Sequence, residues 1–163
     1  GRAVSMSIEP AKADTGIIFC RTDIENDNII KAIIDNVVDS KLCTKIKNSS
    51  GIFVSTIEHL MAAFSALGID NAIIKINSSE LPALDGSSHE YVKKIINSGI
   101  KVLNRSKKIF KVIKKVEVKS GDRFISITPS NKLNINITIN YLKYGKNTIK
   151  WKKNYNNAKN IGI

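Results

Sequence analysis

Between positions 57 and 67 the apolar residues Ile57, Leu60, Met61, Phe64 and Leu67 recur three and four places apart. The segments on either side alternate apolar and polar residues instead. A helical period set among two-residue alternations points to helices laid on sheets. The helix is predicted to start at Ser55 and to stop at Gly68, where a left-handed glycine closes a last turn. Before it, strands are predicted over residues 3–9, ending at Pro10, over 17–19 and over 29–34, with weaker extended pieces over 42–46 and 52–54. After it comes a strand over 72–76 and a turn over 81–86. Ser87 followed by Glu90 then makes a capping box for a second helix, which runs to about Asn97 and is ended by Gly99.

Beyond residue 108 the pattern changes. Residues 109–118, 124–128 and 133–141 read as three successive strands, turned by Ser120-Gly121-Asp122 and by Pro129-Ser130-Asn131. Residues 145–163 show no periodicity and are expected to be poorly ordered. No internal repeat is evident by direct similarity. The fold class expected is α+β. Residues 1–104 should form a two-layer domain with two helices packed on a mostly antiparallel sheet. Residues 105–163 should carry the opening strands of a second domain and a Lys/Asn-rich tail.

Composition narrows the function classes. With 163 residues, 42% of them hydrophobic, the chain has enough apolar mass to bury a core. No apolar run approaches the roughly 18–20 residues a membrane helix needs, and no signal-peptide layout is read. Cys20 and Cys43 lie in no metal spacing and suggest reduced thiols, hence a cytoplasmic setting. The sequence starts at Gly1 without an initiator Met, which is read as a hint of a fragment. Charge is uneven: residues 1–100 carry 10 Lys/Arg against 12 Asp/Glu, and residues 101–163 carry 16 against 2. That break marks a candidate domain boundary near residues 98–108. The positive field would attract phosphate esters, nucleic acid or anionic lipid, although drift towards Lys, Asn and Ile explains it as well.

Glu58 and His59, adjacent at the start of the first helix, admit two readings. Ser55 and Glu58 fit the S-x-x-E capping box, which would leave His59 an ordinary first-turn residue. Alternatively, neutral imidazole is a normal zinc ligand, and a neighbouring carboxylate can take the proton of a metal-bound water. One histidine does not make a catalytic zinc site, which normally takes three protein ligands.

The runs Ser-Thr-Ile-Glu-His-Leu-Met-Ala-Ala at 55–63, Leu-Gly-Ile-Asp-Asn at 67–71 and Glu-Leu-Pro-Ala-Leu-Asp-Gly-Ser at 80–87 resemble the UDP-3-O-acyl-N-acetylglucosamine deacetylases. Pro10-Ala11, Asp14-Thr15-Gly16, Arg21-Thr22-Asp23, Leu42-Cys43-Thr44 and Lys107-Lys108 extend the likeness, which covers about residues 1–142. These are zinc amidohydrolases of lipid A biosynthesis in Gram-negative bacteria. The resemblance implies two similar α+β domains, each a sheet packed on two helices, with the active site between them. It makes His59 a ligand of Zn2+ and Glu58 the general base for the metal-bound water, which attacks the N-acetyl carbonyl and releases acetate. By the same likeness Arg123 would meet the diphosphate, where the plain alternative is a solvated turn charge, and Tyr141 would stack on uracil, where the plain alternative is a strand residue packed on the core. Cys43 would lie near the cleft as a structural thiol, and Asp85, inside a family motif, is expected to shape its turn and cap the next helix.

The resemblance also implies departures. The family's other zinc ligands, from a His-Lys-x-x-x-Asp type motif, its general-acid His and its acyl-passage insert are expected beyond Ile163. The family's first strand and following loop are expected before Gly1. His89 stands where the family has a small or apolar residue, so it is expected to be exposed and not a ligand. The chain is therefore expected to lack the family's C-terminal half and to be inactive alone. Its expected partner is the UDP-linked acylated glucosamine, with no nucleic acid and with peripheral membrane contact only through the lipid substrate. Two rivals stand beside this reading. One is a non-catalytic remnant binding UDP-sugars or a partner; the other is a basic module tracking single-stranded nucleic acid with Tyr141, Tyr144, Trp151 and Tyr155.

Overall fold

A computed structural model of the chain describes residues 3–141 and 145–152, and of Tyr141, Trp151 and Lys152 the backbone alone. Tyr144, and Tyr155 with the rest of residues 153–163, lie outside the described residues. Two compact units divide at Lys107 and Lys108. The first unit opens with β1 (Met6–Pro10), β2 (Ile17–Arg21) and β3 (Ile29–Lys31). A short 3-10 turn (Ile34–Asn36) leads into β4 (Val37–Val38), β5 (Lys45–Lys47) and β6 (Phe53–Ser55). Helix α1 (Glu58–Leu67), β7 (Ala72–Ile76) and helix α2 (His89–Ser98) complete it.

Four strands make the main sheet in the order β1-β7-β2-β3. β1 runs antiparallel to β7, and β2 antiparallel to β3, while β2 and β7 are parallel. Register sets the core face: Phe19 lies opposite both Ile74 and Ile30, and Arg21 opposite Ile76. Helix α1 turns Leu60, Ala63 and Phe64 into the core, and α2 turns in Tyr91 and Ile95, each at helical spacing. These residues and the sheet's Phe19, Ile30, Ala72, Ile74 and Ile76 form one buried cluster. The smaller antiparallel sheet β4-β5-β6 adds Ile46 and Val54, which face each other across β5 and β6. Arg21 joins the two sheets by donating from Nη1 to the Phe53 carbonyl at 2.9 Å.

The second unit holds two antiparallel hairpins, β8 (Val116–Ser120) with β9 (Arg123–Ile127), and β10 (Asn134–Tyr141) with β11 (Gly145–Lys152). Each sorts its residues by face. Val116 and Val118 lie opposite Ile127 and Ile125, and Ile137 lies opposite Ile149. Asn136, Thr138 and Asn140 occupy the other face, against Lys150, Thr148 and Lys146.

The α+β class holds, with both helices in the first unit and strands continuing into the second. Several boundaries differ from the expectation. The strand expected over 29–34 stops at Lys31, whose carbonyl accepts from Asn36 Nδ2 at 2.8 Å as the chain enters the 3-10 turn. The piece expected over 42–46 forms only from Lys45, because Leu42 takes a left-handed φ of 61°. Of residues 109–118, only those from Val116 pair, matched in length by the five residues of β9. Residues 145–152, expected to be poorly ordered, form β11. Their own pattern has little apolar alternation, and the ladder with β10 supplies what the sequence lacks.

Candidate active site

The helix expected from Ser55 begins three residues later, at Glu58. Ser55 ends β6 and is locked onto the Ser79–Leu81 segment. Its N–H donates to the Ser79 carbonyl at 2.9 Å, and its carbonyl accepts from the Leu81 N–H at 3.1 Å. Its hydroxyl donates to the same Ser79 carbonyl at 3.1 Å. The Ser55–Glu58 capping box therefore does not form, and α1 has no side-chain cap. Both partners of that box are engaged elsewhere.

Thr56 makes the turn from strand to helix at φ 59°. A β-branched residue in the left-handed region costs on the order of 1–3 kcal/mol and persists only where its surroundings impose it. Here they do. The Thr56 hydroxyl donates to Glu80 Oε1 at 2.8 Å, Ser55 bridges Glu80 in parallel fashion, and the buried Ile57 donates its N–H to the Thr44 carbonyl at 3.4 Å.

Glu58 and His59 follow at once, both half-buried. Glu58 Oε2 accepts a hydrogen bond from the Thr44 N–H at 2.8 Å. A carboxylate in the first turn also sits at the positive end of the helix dipole. Among the described residues nothing hydrogen-bonds the His59 imidazole, so both ring nitrogens are available to a ligand. Cys43 is a half-buried free thiol immediately before the amide that grips Glu58, and its carbonyl accepts from the Ser40 hydroxyl. The loop Ser40–Thr44 and the first turn of α1 thus meet at one carboxylate.

The donor set fits part of a zinc site. It offers one imidazole with a carboxylate beside it, and no group of three His, Cys, Asp or Glu side chains gathers among the described residues. His89, exposed at the start of α2, does not join them. Asp85 accepts from the Ser87 N–H and hydroxyl, both at 3.0 Å, and the Ser87 hydroxyl accepts from the His89 N–H at 3.0 Å. The Ser87 N–H, then its hydroxyl, hold the Asp85 carboxyl below its usual range. Asp85 and Ser87 shape the entry to α2 in place of the expected Ser87–Glu90 box. Arg123 opens β9, exposed and opposite Ser120, and Tyr141 ends β10 opposite Gly145. Both belong to the second unit.

Thr44, Thr56 and Glu80 were missed by sequence reasoning, although each lies inside a quoted motif. The available signal was that these motif residues had no assigned role. Asn71 is a similar case: its Oδ1 accepts from the Gly16 N–H at 3.0 Å, pinning the Asp14-Thr15-Gly16 turn to the start of β7.

The family model of UDP-3-O-acyl N-acetylglycosamine deacetylase matches residues 1–161. The UDP-3-O-acyl-N-acetylglucosamine deacetylase of Wigglesworthia glossinidia brevipalpis is 42% identical over 142 residues, which are 86% of this chain and 48% of that protein. Those of Actinobacillus succinogenes and Pasteurella multocida are 40% and 38% identical over 141 residues, 86% of this chain and 46% of each relative. The chain thus spans about half the length of the curated relatives it matches.

Proposed function

The chain belongs to the UDP-3-O-acyl-N-acetylglucosamine deacetylase family, and from that premise we propose that it supplies the general base and one metal ligand of a zinc-dependent deacetylase of lipid A biosynthesis. The single observation that carries this reading is the placement of Glu58. Its carboxylate is not spent on capping α1; the Thr44 N–H holds one oxygen, and beside it stands His59, whose imidazole has no hydrogen-bond partner among the described residues. Glu58 Oε1, the oxygen free of Thr44, takes a proton from the water as its oxygen bonds to the N-acetyl carbonyl carbon; the C–N bond then breaks, a proton returns to the amine nitrogen, and acetate and the free glucosamine amine are the products. Bound zinc, with His59 as one ligand, would supply an acidic water and a polarised carbonyl. The remaining ligands are not among the described residues, so the described part is inactive by itself.

The substrate in this reading is the UDP-linked acylated glucosamine. Arg123 meets its diphosphate, as a guanidinium suits, and Tyr141 stacks on its uracil. Cys43 borders the cleft without chemistry. The setting is the cytoplasm of a Gram-negative bacterium, in keeping with the free thiols of Cys20 and Cys43. Membrane contact is peripheral, through the lipid chain of the substrate, and nucleic acid has no part.

Replacing the matching segment of the Wigglesworthia relative by residues 1–141 tests this. The chimera should deacetylate substrate in a zinc-dependent manner, and Glu58→Ala should remove turnover. A folded chimera without activity sinks the reading. Robust turnover by this chain alone, lost on Glu58→Ala, would refute the inactivity. That no group of three metal-ligating side chains gathers among the described residues favours one second reading, a non-catalytic remnant that binds UDP-sugars or a partner. Stoichiometric zinc binding by the chimera, lost on His59→Ala, distinguishes the enzyme from it.

A further inference from the structure

We infer that Glu80 is a positioning residue for Glu58, acting through the strained backbone of Thr56; the role rests on Glu58 being the base proposed above. The junction between β6 and α1 is held from two sides. On one side the Ser79–Leu81 segment bonds both the N–H and the carbonyl of Ser55, and the Glu80 carboxylate accepts from the Thr56 hydroxyl at 2.8 Å. On the other, Thr44 uses its carbonyl for the Ile57 N–H and its own N–H for Glu58 Oε2.

Between these clamps lies Thr56 at φ 59°, where a threonine does not rest by itself. If its backbone relaxed to negative φ, the peptide planes on either side would rotate and the first turn of α1 would leave in another direction. Glu58 would then lose the Thr44 N–H. The Glu80 contact is the only side-chain hydrogen bond recorded to Thr56 among the described residues, and Glu80 is itself exposed at the segment's surface. A solvent-facing carboxylate that neither packs in the core nor caps a helix has its structural purpose in that bond.

The test reads the position of Glu58 without turnover, so it stands or falls independently of the deacetylase assay. Amide hydrogen exchange is measured by NMR on the whole chain, with the Thr44 amide as reporter. Glu58→Ala should strip its protection and sets the floor. Glu80→Ala should lower Thr44 protection by about tenfold or more, the scale of one hydrogen bond to a charged group. Glu80→Gln, which keeps an acceptor oxygen, should stay close to the parent. Adding Thr56→Gly to Glu80→Ala should restore protection, since glycine occupies positive φ without a clamp. The inference is overturned if Thr44 keeps its protection in Glu80→Ala or in Glu58→Ala, or if Thr56→Gly restores nothing. Parallel losses at the Phe19 and Ile74 amides would overturn it too, by making Glu80 a general stabiliser of the fold.

Discussion

Arg21 carries a charge into the core edge and satisfies it there. Its guanidinium donates to both carboxylate oxygens of Asp23, at 2.7 and 2.6 Å, and to the Phe53 carbonyl at 2.9 Å. The fork to Asp23 is partly open to solvent and worth the less for it, while the third donor, to the Phe53 carbonyl, ties β2 to β6. Arg21→Lys, which cannot make that fork, should cost about 1–2 kcal/mol in urea unfolding. The hydrogen bond from Arg21 holds the Asp23 carboxyl below its ordinary value. A depressed carboxylate stabilises the fold above its unfolded pKa, about 3.9, and that stability is lost as pH falls through the folded value. Asp23→Asn should therefore flatten the acid limb of the stability profile. Tyr91 has the opposite sign. Burial pushes its phenol up to about 12, and its hydroxyl donates to the Pro82 carbonyl at 2.6 Å. Its contribution is complete below the unfolded pKa, about 10, and disappears as pH rises to the folded value. Tyr91→Phe should cost about 1 kcal/mol at neutral pH and remove that alkaline loss from thermal melts.

At the scale of elements, α1 is defined by its ends more than by its middle. At its C-terminus Gly68 takes φ 71° and ψ 24°, its N–H reaches the Phe64 and Ser65 carbonyls, and the Ile69 N–H bonds Phe64 at 2.9 Å. A Cβ on Gly68 would meet nothing within 4 Å, so a substitution pays only the backbone penalty. Gly68→Ala should destabilise the chain by about 1–2 kcal/mol, read from the shift in urea midpoint at constant slope. That capping glycine was legible in the sequence because the φ > 0 requirement is local. The start of α1 was not. Ser55-x-x-Glu58 satisfies the local rule for a capping box, but Ser79 and Leu81, more than twenty positions away, claim Ser55 for a strand. In the same way β11 was invisible alone, since its pattern acquires meaning only against β10.

At the scale of the molecule the two units differ in how they are covered. In the first, sheet and helices share one core in which Phe19, Ile30, Leu60, Ala63, Ile74 and Ile76 are wholly buried. In the second, Val116, Val118, Ile125, Ile127, Ile137 and Ile149 are all at least half exposed on the apolar faces of their hairpins. Two-stranded hairpins with an open face are marginal in water. Amides of β2 and β7 should therefore exchange more slowly than those of β8 through β11 by several orders of magnitude. Uniform protection across both units would contradict this. Charge follows the same division, close to balanced before residue 100 and strongly basic after it. That imbalance favours solubility but adds no packing to the second unit.

What the sequence by itself determined is what short-range chemistry can encode: the α+β class, the two helical faces, the left-handed stop at Gly68, the change of character after residue 100, and the family through motifs spaced along the chain. Tertiary structure alone decided how the Glu58–His59 junction is built. The Glu80 carboxylate on the hydroxyl of the left-handed Thr56 and the Thr44 N–H on Glu58 pair residues 24 and 14 positions apart. No periodicity or propensity reports such pairs. They exist because hydrogen-bonding groups left over at a strand end and a helix start must find partners, and the fold determines which groups are within reach.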